Sequence, residues 1–344
     1  MTRARHAHRF PHRFSAALAA CTLAAVASAC GGGAATDTGG GQGGGGADAL
    51  TLGLVVAKTF ELTVPAQIAQ EQGYFKDEGV DVEIVAFQGG ADLVKGMASG
   101  AAQIGAATGF DPAAAAAKGV PMSAFAGIAT ESPMVVVAGA GSGIESTADL
   151  CGKKLGITRF GSLTDFAVRV VGRDEGCTIT AVPLGAAPAQ VAAMSRGEVD
   201  GFVWSTEVGI AMEQAGKGRI VARLPDVLAD DQYGIFMAQP DYLEANRETA
   251  EAFLRAIYRA VAWMKDDANR EEAIDRTAKL LELEPAVAEK TFDELVGHLS
   301  DDGTMNTAGL EELAGNLPDL EIARRVPKLD EFYTDAFVPV RAGG

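Results

Sequence analysis

Short apolar segments alternate with amphipathic segments from Leu50 to Ala238, and this alternation limits the fold more than any other feature of the chain. Residues 51–57 and 133–138 are apolar runs, and residues 81–87 alternate between polar and apolar side chains. The amphipathic stretches between them end at glycines, as helices commonly do. Strands that alternate with helices predict an α/β fold.

A strand, a turn and a helix start follow one another in residues 149–165. A buried strand is expected at 154–158, and Ser162 with Asp165 has the spacing of a helix capping box. A helix that begins directly after a strand leaves backbone N–H groups free. Ser162 and Thr164 add hydroxyls there, and Arg159 adds a cation. The segment therefore predicts a cradle for a small anion or polar ligand, although an ordinary capped turn has the same pattern.

The second α/β unit continues to residue 223, and the sequence becomes helical after residue 239. Asp111 and Asn246 are each expected to cap a helix. Residues 97–103 and 194–200 resemble each other weakly, which favours two related lobes. Further strands are expected at 178–182, 199–204 and 219–223, with helices at 162–174, 187–196 and 206–215.

The N-terminal residues have the pattern of an export signal. Arginine and histidine crowd residues 3–13, and residues 14–29 are apolar and end in small side chains. This pattern predicts a signal peptide over 1–29. Ala27-Ser28-Ala29-Cys30 resembles a lipobox, so 30–48 is expected to be a lipidated cysteine with a glycine-rich tether, with Cys21 as the alternative lipid site. The protein is expected outside the cytoplasm, anchored to the outer face of the cell membrane or periplasmic; ordinary cleavage would release it instead.

Composition excludes several classes of function. The net charge of −17 argues against a nucleic-acid partner. Three of the four histidines lie in the predicted leader, so His298 alone remains for a catalytic triad or a histidine metal site. No phosphate-binding P-loop motif is present. Binding without catalysis, metal or cofactor is therefore expected. Cys151 and Cys177 predict a disulfide in an exported protein, with two free thiols as the alternative.

Several motifs resemble one family of transport proteins. The most specific is Gly73-Tyr-Phe-Lys-Asp-Glu-Gly-Val-Asp-Val82, which is accompanied by Met97–Gly100, Asp149–Gly156, Val199–Trp204 and Pro240–Leu243. Together they resemble the solute-binding proteins of ABC importers in the sulfonate/nitrate/taurine group. That group also contains binders of the thiamine pyrimidine precursor and enzymes that make it.

The resemblance implies a type II periplasmic-binding-protein fold, with two α/β lobes joined by two crossovers and a helical C-terminal region. The crossovers are expected near 138–143 and 224–233. Lobe 1 would comprise 49–140 plus 232–344, and lobe 2 would comprise 141–231. A monomer is expected to hold a small-molecule ligand in the cleft between the lobes and to deliver it to an ABC permease in the membrane.

In such a fold the ends of strands and the starts of helices face the cleft. Lys58 with Arg159 would suit an anionic ligand, and the aromatic residues would suit a flat ring, so both ligand types stay open. Asp111 could be only a helix cap, and Trp204 could be a core residue. The expected ligand-binding residues are Lys58, Thr59, Phe60, Gln88, Gly89, Thr108 and Asp111 in lobe 1, and Arg159, Phe160, Ser162, Thr164, Trp204, Ser205 and Glu207 in lobe 2.

The function expected from these observations is the substrate-binding component of an ABC importer, for a small anionic or aromatic organic solute. Two alternatives remain open at this point. One is a pyrimidine-precursor synthase with the same fold, and the other is the ligand-sensing domain of a signalling system.

Overall fold

The computed structural model describes residues 48–56, 58–228 and 232–340, all within one unit that spans Gly46–Gly344. The predicted signal peptide, Cys21, Cys30 and the glycine-rich residues that follow lie outside the described residues. The predicted alternation of strands and helices is confirmed along the chain. The strands are β1 (Asp48–Leu54), β2 (Val80–Ala86), β3 (Ile104–Thr108), β4 (Ser123–Ala129), β5 (Met134–Gly139), β6 (Lys154–Ile157), β7 (Thr180–Pro183), β8 (Gly201–Ser205), β9 (Gly218–Arg223) and β10 (Gly234–Ala238).

Helices lie between the strands along the chain, and among the described elements only helices follow β10. They are α1 (Phe60–Glu71), α2 (Tyr74–Asp77), α3 (Gly90–Ala98), α4 (Phe110–Ala117), α5 (Leu163–Asp174), α6 (Ala187–Ser195), α7 (Thr206–Gln214), α8 (Leu224–Val227), α9 (Pro240–Ala245), α10 (Arg247–Lys265), α11 (Arg270–Leu281), α12 (Pro285–Leu295) and α13 (Thr307–Gly315). Among the described residues, no helix has both the length and the apolar character needed to cross a membrane.

The strands form two five-stranded sheets with the same arrangement. The first sheet has the order β2-β1-β3-β10-β4, and the second has the order β7-β6-β8-β5-β9. In each sheet the first three strands are parallel, and the fourth runs antiparallel to both of its neighbours. This shared order agrees with the weak internal repeat in the sequence.

The first crossing between the sheets lies earlier than expected. β5 pairs with β8 and β9, so it belongs to the second sheet. The chain therefore crosses at residues 130–133 and not near 138–143, and the predicted lobe boundary at residue 140 lies too late. The apolar residues of β5 do not show in the sequence which sheet they join, and the glycine-rich residues after β5 form a turn. The second crossing follows β9 and includes α8, within the expected 224–233.

Two expected helix caps are wrong in detail. α4 begins at Phe110, so Asp111 lies in its first turn, where its carboxylate accepts hydrogen bonds from the backbone N–H and hydroxyl of Thr108. Asn246 stands at the N-cap position of α10, but its side chain donates to the carbonyl of Tyr242 at 2.9 Å. α4 thus begins earlier than expected, whereas α10 begins where expected but lacks the side-chain cap bond, because the Asn246 amide is turned back to the preceding helix.

Ser162 caps α5 as predicted, but the second hydrogen bond of the capping box differs from the standard one. The Ser162 hydroxyl accepts from the Asp165 N–H at 3.4 Å. The Asp165 carboxylate accepts from the Gly161 N–H at 2.8 Å and not from the N–H of Ser162, as a standard capping box would require. A disulfide between Cys151 and Cys177 joins the turn before β6 to the turn after α5.

The C-terminal helices join the two sheets as well as covering the first. The stripe Phe253, Ile257 and Val261 of α10 is buried, as its helical spacing predicts. α12 packs against both α1 beside the first sheet and α7 beside the second. The ring of Phe292 on α12 meets that of Phe60 edge-on, with 6.0 Å between the centroids. Helices far along the chain therefore support the junction of the sheets.

Candidate functional site

A cleft of about 940 Å³ lies between the two sheets and is lined by residues from both. The lining follows the carboxyl ends of β1, β2 and β3 in the first sheet, and of β6, β7 and β8 in the second. Ligands of α/β proteins bind at this end of the strands, because the loops and the N-termini of the following helices meet there. Ten of the expected site residues line this cleft: Thr59, Gln88, Gly89, Thr108, Asp111, Arg159, Phe160, Ser162, Thr164 and Trp204.

The second sheet contributes a cluster of hydroxyls at the start of α5. The hydroxyl oxygens of Thr158, Ser162 and Thr164 lie 2.8–2.9 Å from one another. The Ser162 hydroxyl also lies 2.8 Å from the carbonyl oxygen of Arg159. Hydroxyl protons rotate, so a bound anion can receive them together with the free N–H groups at the start of α5. We call residues 158–164 the hydroxyl cradle.

Arg159 extends from the hydroxyl cradle towards the first sheet. Its guanidinium lies 3.8 Å from the carboxylate of Asp92 and packs on Gly89, where an added Cβ would lie 2.8 Å from Nη2. A second cleft arginine, Arg169, is bound to the buried Asp165 at 3.3 Å. Of these two arginines, Arg159 has the longer ion pair and lies in the hydroxyl cradle. Its guanidinium is therefore the better placed of the two to bind an anion.

Asp111 places a carboxyl group in the cleft on the side of the first sheet. Burial raises the pKa of Asp111, while the hydrogen bonds from Thr108 and the charge of Arg159 act in the opposite direction. Those bonds, of 2.9 and 2.8 Å, both go to Oδ2. The cleft thus presents a cation and a carboxyl group from opposite sheets.

Aromatic side chains supply the apolar part of the cleft. Trp204 at the end of β8 is half-buried, and Phe87 and Tyr233 contribute from the first sheet. Phe160 leaves 61% of its surface exposed at the cleft, although large apolar side chains are usually covered. Such a lining favours a ligand with an apolar body beside its polar group.

Four expected site residues do not line the cleft. Lys58 forms an ion pair with Glu282, with 2.6 Å between Nζ and Oε2. Phe60 is fully buried against Phe292, because α1 begins at Phe60 and its first turn packs into the helical region. Ser205 and Glu207 are both buried, and the Ser205 hydroxyl donates to Glu207 at 2.5 Å. The start of α7 turns these two side chains away from the cleft.

Glu207 and Glu61 form a buried acidic pair at the junction of α7 and α1. Burial raises the pKa of Glu207 to about 7. Burial, and then the charge of Glu207, raise the pKa of Glu61 well above its usual range. Neither residue lines the cleft, so we assign neither to ligand contact.

The cleft also contains residues that the sequence did not indicate. Thr158 belongs to the segment singled out above, but it was expected only as the last strand residue. Met134 and Tyr233 follow the two crossings, the first of which was expected later in the chain. Leu320, Glu321 and Ile322 lie far along the chain, and no motif points to them. A signal for Thr158 was present in the hydroxyl spacing; none was present for residues 320–322.

Residues 63–271 match the sequence model of the family described as NMT1/THI5 like, and this range is more than half of the chain. The chain belongs to the NMT1/THI5-like family. Among its relatives, the taurine-binding periplasmic protein of Escherichia coli is 30% identical over 203 residues, which are 56% of this chain and 60% of that protein. The predicted resemblance to this group of binding proteins is confirmed.

Enzymes are also relatives of this NMT1/THI5-like protein. The 4-amino-5-hydroxymethyl-2-methylpyrimidine phosphate synthase of Schizosaccharomyces pombe is 24% identical over 219 residues, or 59% of this chain and 62% of that enzyme. The chain thus spans about 60% of the length of these relatives.

A solved structure agrees with the fold. The alkanesulfonate-binding protein SsuA from Xanthomonas axonopodis pv. citri, bound to MOPS, has a TM-score of 0.70 at 19% identity, and the match covers 84% of this chain and 98% of that one. The predicted type II periplasmic-binding-protein fold is confirmed.

Proposed function

We propose that this NMT1/THI5-like protein is the extracytoplasmic substrate-binding component of an ABC importer. It captures a small organic solute in the cleft and delivers that solute to a permease in the membrane. The single observation that carries the proposal is the cleft itself, which has polar groups from both sheets at the carboxyl ends of their strands. The taurine-binding relative supports it. The proposal includes a monomer that is lipid-anchored through Cys30.

The solute in this proposal has an anionic group and an apolar body. The anionic group lies on the hydroxyl cradle, where Arg159 and the start of α5 stabilise negative charge. The apolar body lies against Trp204 and Phe160. Asp111 faces the same space and favours a solute that also carries a hydrogen-bond donor or a positive charge.

Ligand contacts with both sheets explain how binding is linked to delivery. Arg159 and Asp111 line the cleft from opposite sheets. In this proposal, a solute that touches both gains more contacts when the cleft is closed. Such a differential affinity shifts the population towards the closed form. In this proposal the first sheet with residues after 232 forms one lobe, and the second sheet forms the other.

A synthase role is the second candidate, because pyrimidine phosphate synthases are relatives. Among the described residues that line the cleft, none is histidine or cysteine, and His298 lines a separate, smaller cavity of about 350 Å³. A histidine general base is therefore not part of this cleft. Formation of the pyrimidine phosphate by the purified protein would overturn the binding role.

The test is calorimetric titration of the protein that begins after Cys30 with taurine, MOPS, alkanesulfonates, nitrate, aromatic carboxylates and thiamine pyrimidines. For an anionic ligand, Arg159→Met should weaken binding at least about tenfold, because it removes a charge-assisted hydrogen bond. Arg196→Met is the control, since Arg196 is an exposed residue paired with Glu198 outside the cleft. No binding of any solute by the wild type would contradict the proposal.

Asp111→Asn separates two kinds of ligand in the same assay. Loss of this carboxylate should tighten the binding of a purely anionic solute and weaken the binding of a solute that carries an ammonium group. The asparagine oxygen still accepts a bond from Thr108, so the variant is expected to fold.

A further inference from the structure

A short segment after α13, Asn316–Ala323, forms one side of the cleft, and we call it the C-terminal wall. Leu320, Glu321 and Ile322 of this wall line the cleft. The segment lies outside residues 63–271, which match the family model. The family assignment therefore does not rest on this part of the cleft.

The C-terminal wall has a well-defined backbone. The N–H of Leu320 donates to the carbonyl of Asn316, and the N–H of Ile322 donates to that of Leu317, both at 3.1 Å. Leu317 and Leu320 are buried. Glu321 has a left-handed backbone with φ of 57°, which places a sharp turn immediately before Ile322. Ile322 is therefore held in place by its neighbours.

The C-terminal wall contacts the hydroxyl cradle directly. Gly161, between Arg159 and Ser162, faces Ile322 so closely that an added Cβ would lie 3.2 Å from Cγ1. Nearby, the Arg173 guanidinium of α5 donates to the Asn316 side chain at 2.9 Å. An apolar side chain is thus fixed beside the polar group that receives the anion.

The residues on both sides of the C-terminal wall contact α4, a helix beside the first sheet. The Arg325 guanidinium donates to the carbonyl of Ala116 at 2.6 Å, at the end of α4, and α13 packs against the same helix. The C-terminal wall is therefore held by α4 of the first sheet, while the side chain of Ile322 contacts the hydroxyl cradle of the second sheet. A ligand on the hydroxyl cradle has to fit beneath it.

We propose that the C-terminal wall determines which solutes the cleft accepts, with Ile322 as the residue that contacts the apolar substituent beyond its first carbon. This inference rests on the proposed binding function. A hydrocarbon substituent gains apolar contact with Ile322, whereas a methyl group is too small to reach it well. The wall thus selects organic anions by the size of their apolar substituent.

The experiment compares two probes, methanesulfonate and octane-1-sulfonate, by calorimetric titration. Ile322→Ala should weaken octane-1-sulfonate binding about tenfold and change methanesulfonate binding less than about twofold, because only the longer chain loses contact. Ile322→Trp should also weaken the longer probe about tenfold or more, by filling its space. Val326→Ala is the matched control, since Val326 is apolar, half exposed and outside the cleft lining.

The conservative variant Ile322→Val should retain most of the preference for the longer probe. If Ile322→Ala shows no cooperative unfolding and so is not properly folded, Ile322→Val replaces it. Ile322→Val is expected to weaken octane-1-sulfonate binding by a smaller factor, and an unchanged affinity would overturn the inference. If folded variants change the affinity for both probes equally, or change neither, the role of the C-terminal wall is overturned but the proposed binding function is not. If the wild type binds another class of solute, its smallest and largest members replace the sulfonates. A wild type that binds no solute overturns the proposed function and this inference together.

Discussion

At the residue scale, Glu207 shows how the fold changes the chemistry of a side chain. Its carboxyl group accepts a hydrogen bond from Ser205, and burial raises the pKa of Glu207 to about 7. The charge of Glu207 is also a cause of the raised pKa of Glu61. At neutral pH, ionisation of this buried pair works against the folded state, because the charges have little solvation there.

The first prediction concerns the dependence of stability on pH. Below pH 4.5 Glu207 is protonated in both the folded and the unfolded protein, so its stabilising contribution is fully present. As the pH rises to about 7, the unfolded state releases its proton first, and Glu207 alone reduces the free energy of unfolding by roughly 3 kcal/mol. Glu207→Gln should remove this part of the decline, because an amide does not ionise.

Urea unfolding between pH 4.5 and 8 measures this effect. The exposed Glu244 provides the control, since Glu244→Gln should leave the pH profile of the wild type unchanged. Any cost of burying the amide is independent of pH and shifts the whole curve. A Glu207→Gln profile parallel to that of the wild type would show that Glu207 ionises normally.

At the scale of elements, the turn between β2 and α3 meets the turn between β6 and α5. Gly89 has φ of 110° and ψ of 170°, a conformation almost restricted to glycine. Its missing side chain leaves the space that the guanidinium of Arg159 occupies. Two turns far apart in the chain thus depend on one another at the cleft.

The second prediction follows from that contact. Gly89→Ala should lower the free energy of unfolding by about 1–3 kcal/mol, because alanine is strained at this φ and ψ. It should also weaken anion binding, because the new Cβ displaces Arg159. Gly141→Ala is the control, since Gly141 has no neighbour within 4 Å of an added Cβ. Denaturant unfolding and titration with a bound anion test both parts, and an unchanged affinity would contradict the role of the contact.

At the scale of the whole described unit, two sheets of equal order face one cleft. Apolar contact also joins their helices, since the rings of Phe110 on α4 and Phe166 on α5 lie 6.3 Å apart between centroids. The two crossings and α12 connect the sheets on other paths. Under the proposed binding role, the two crossings are where a hinge movement of the sheets would occur.

The third prediction concerns closure on the ligand. A solute at about 100 times its dissociation constant should raise the free energy of unfolding by about 2.7 kcal/mol. Small-angle X-ray scattering should show a smaller radius of gyration with ligand, because closed forms are favoured by contacts with both sheets. Arg159→Met at the same solute concentration should show less of both effects. A stability gain without any compaction would indicate binding without closure.

The local pattern of the sequence determined most of the elements and part of the cleft. The strand and helix over 154–174 and the stripe of α10 follow from side-chain periodicity, which local geometry imposes. Arg159, Ser162 and Thr164 were found because they follow one strand and start one helix. The family motifs predicted the fold, which the structural match confirms.

Only the tertiary structure decided the remaining points. Lys58 was expected in the cleft but pairs with Glu282, and Phe60 packs on Phe292, because α11 and α12 fold back onto α1. The sheet that β5 joins depends on pairing partners from later in the chain. Ile322 reaches the hydroxyl cradle through contacts between residues more than a hundred positions apart. Periodicity reports which face of an element is buried, whereas packing between distant segments decides what that face touches.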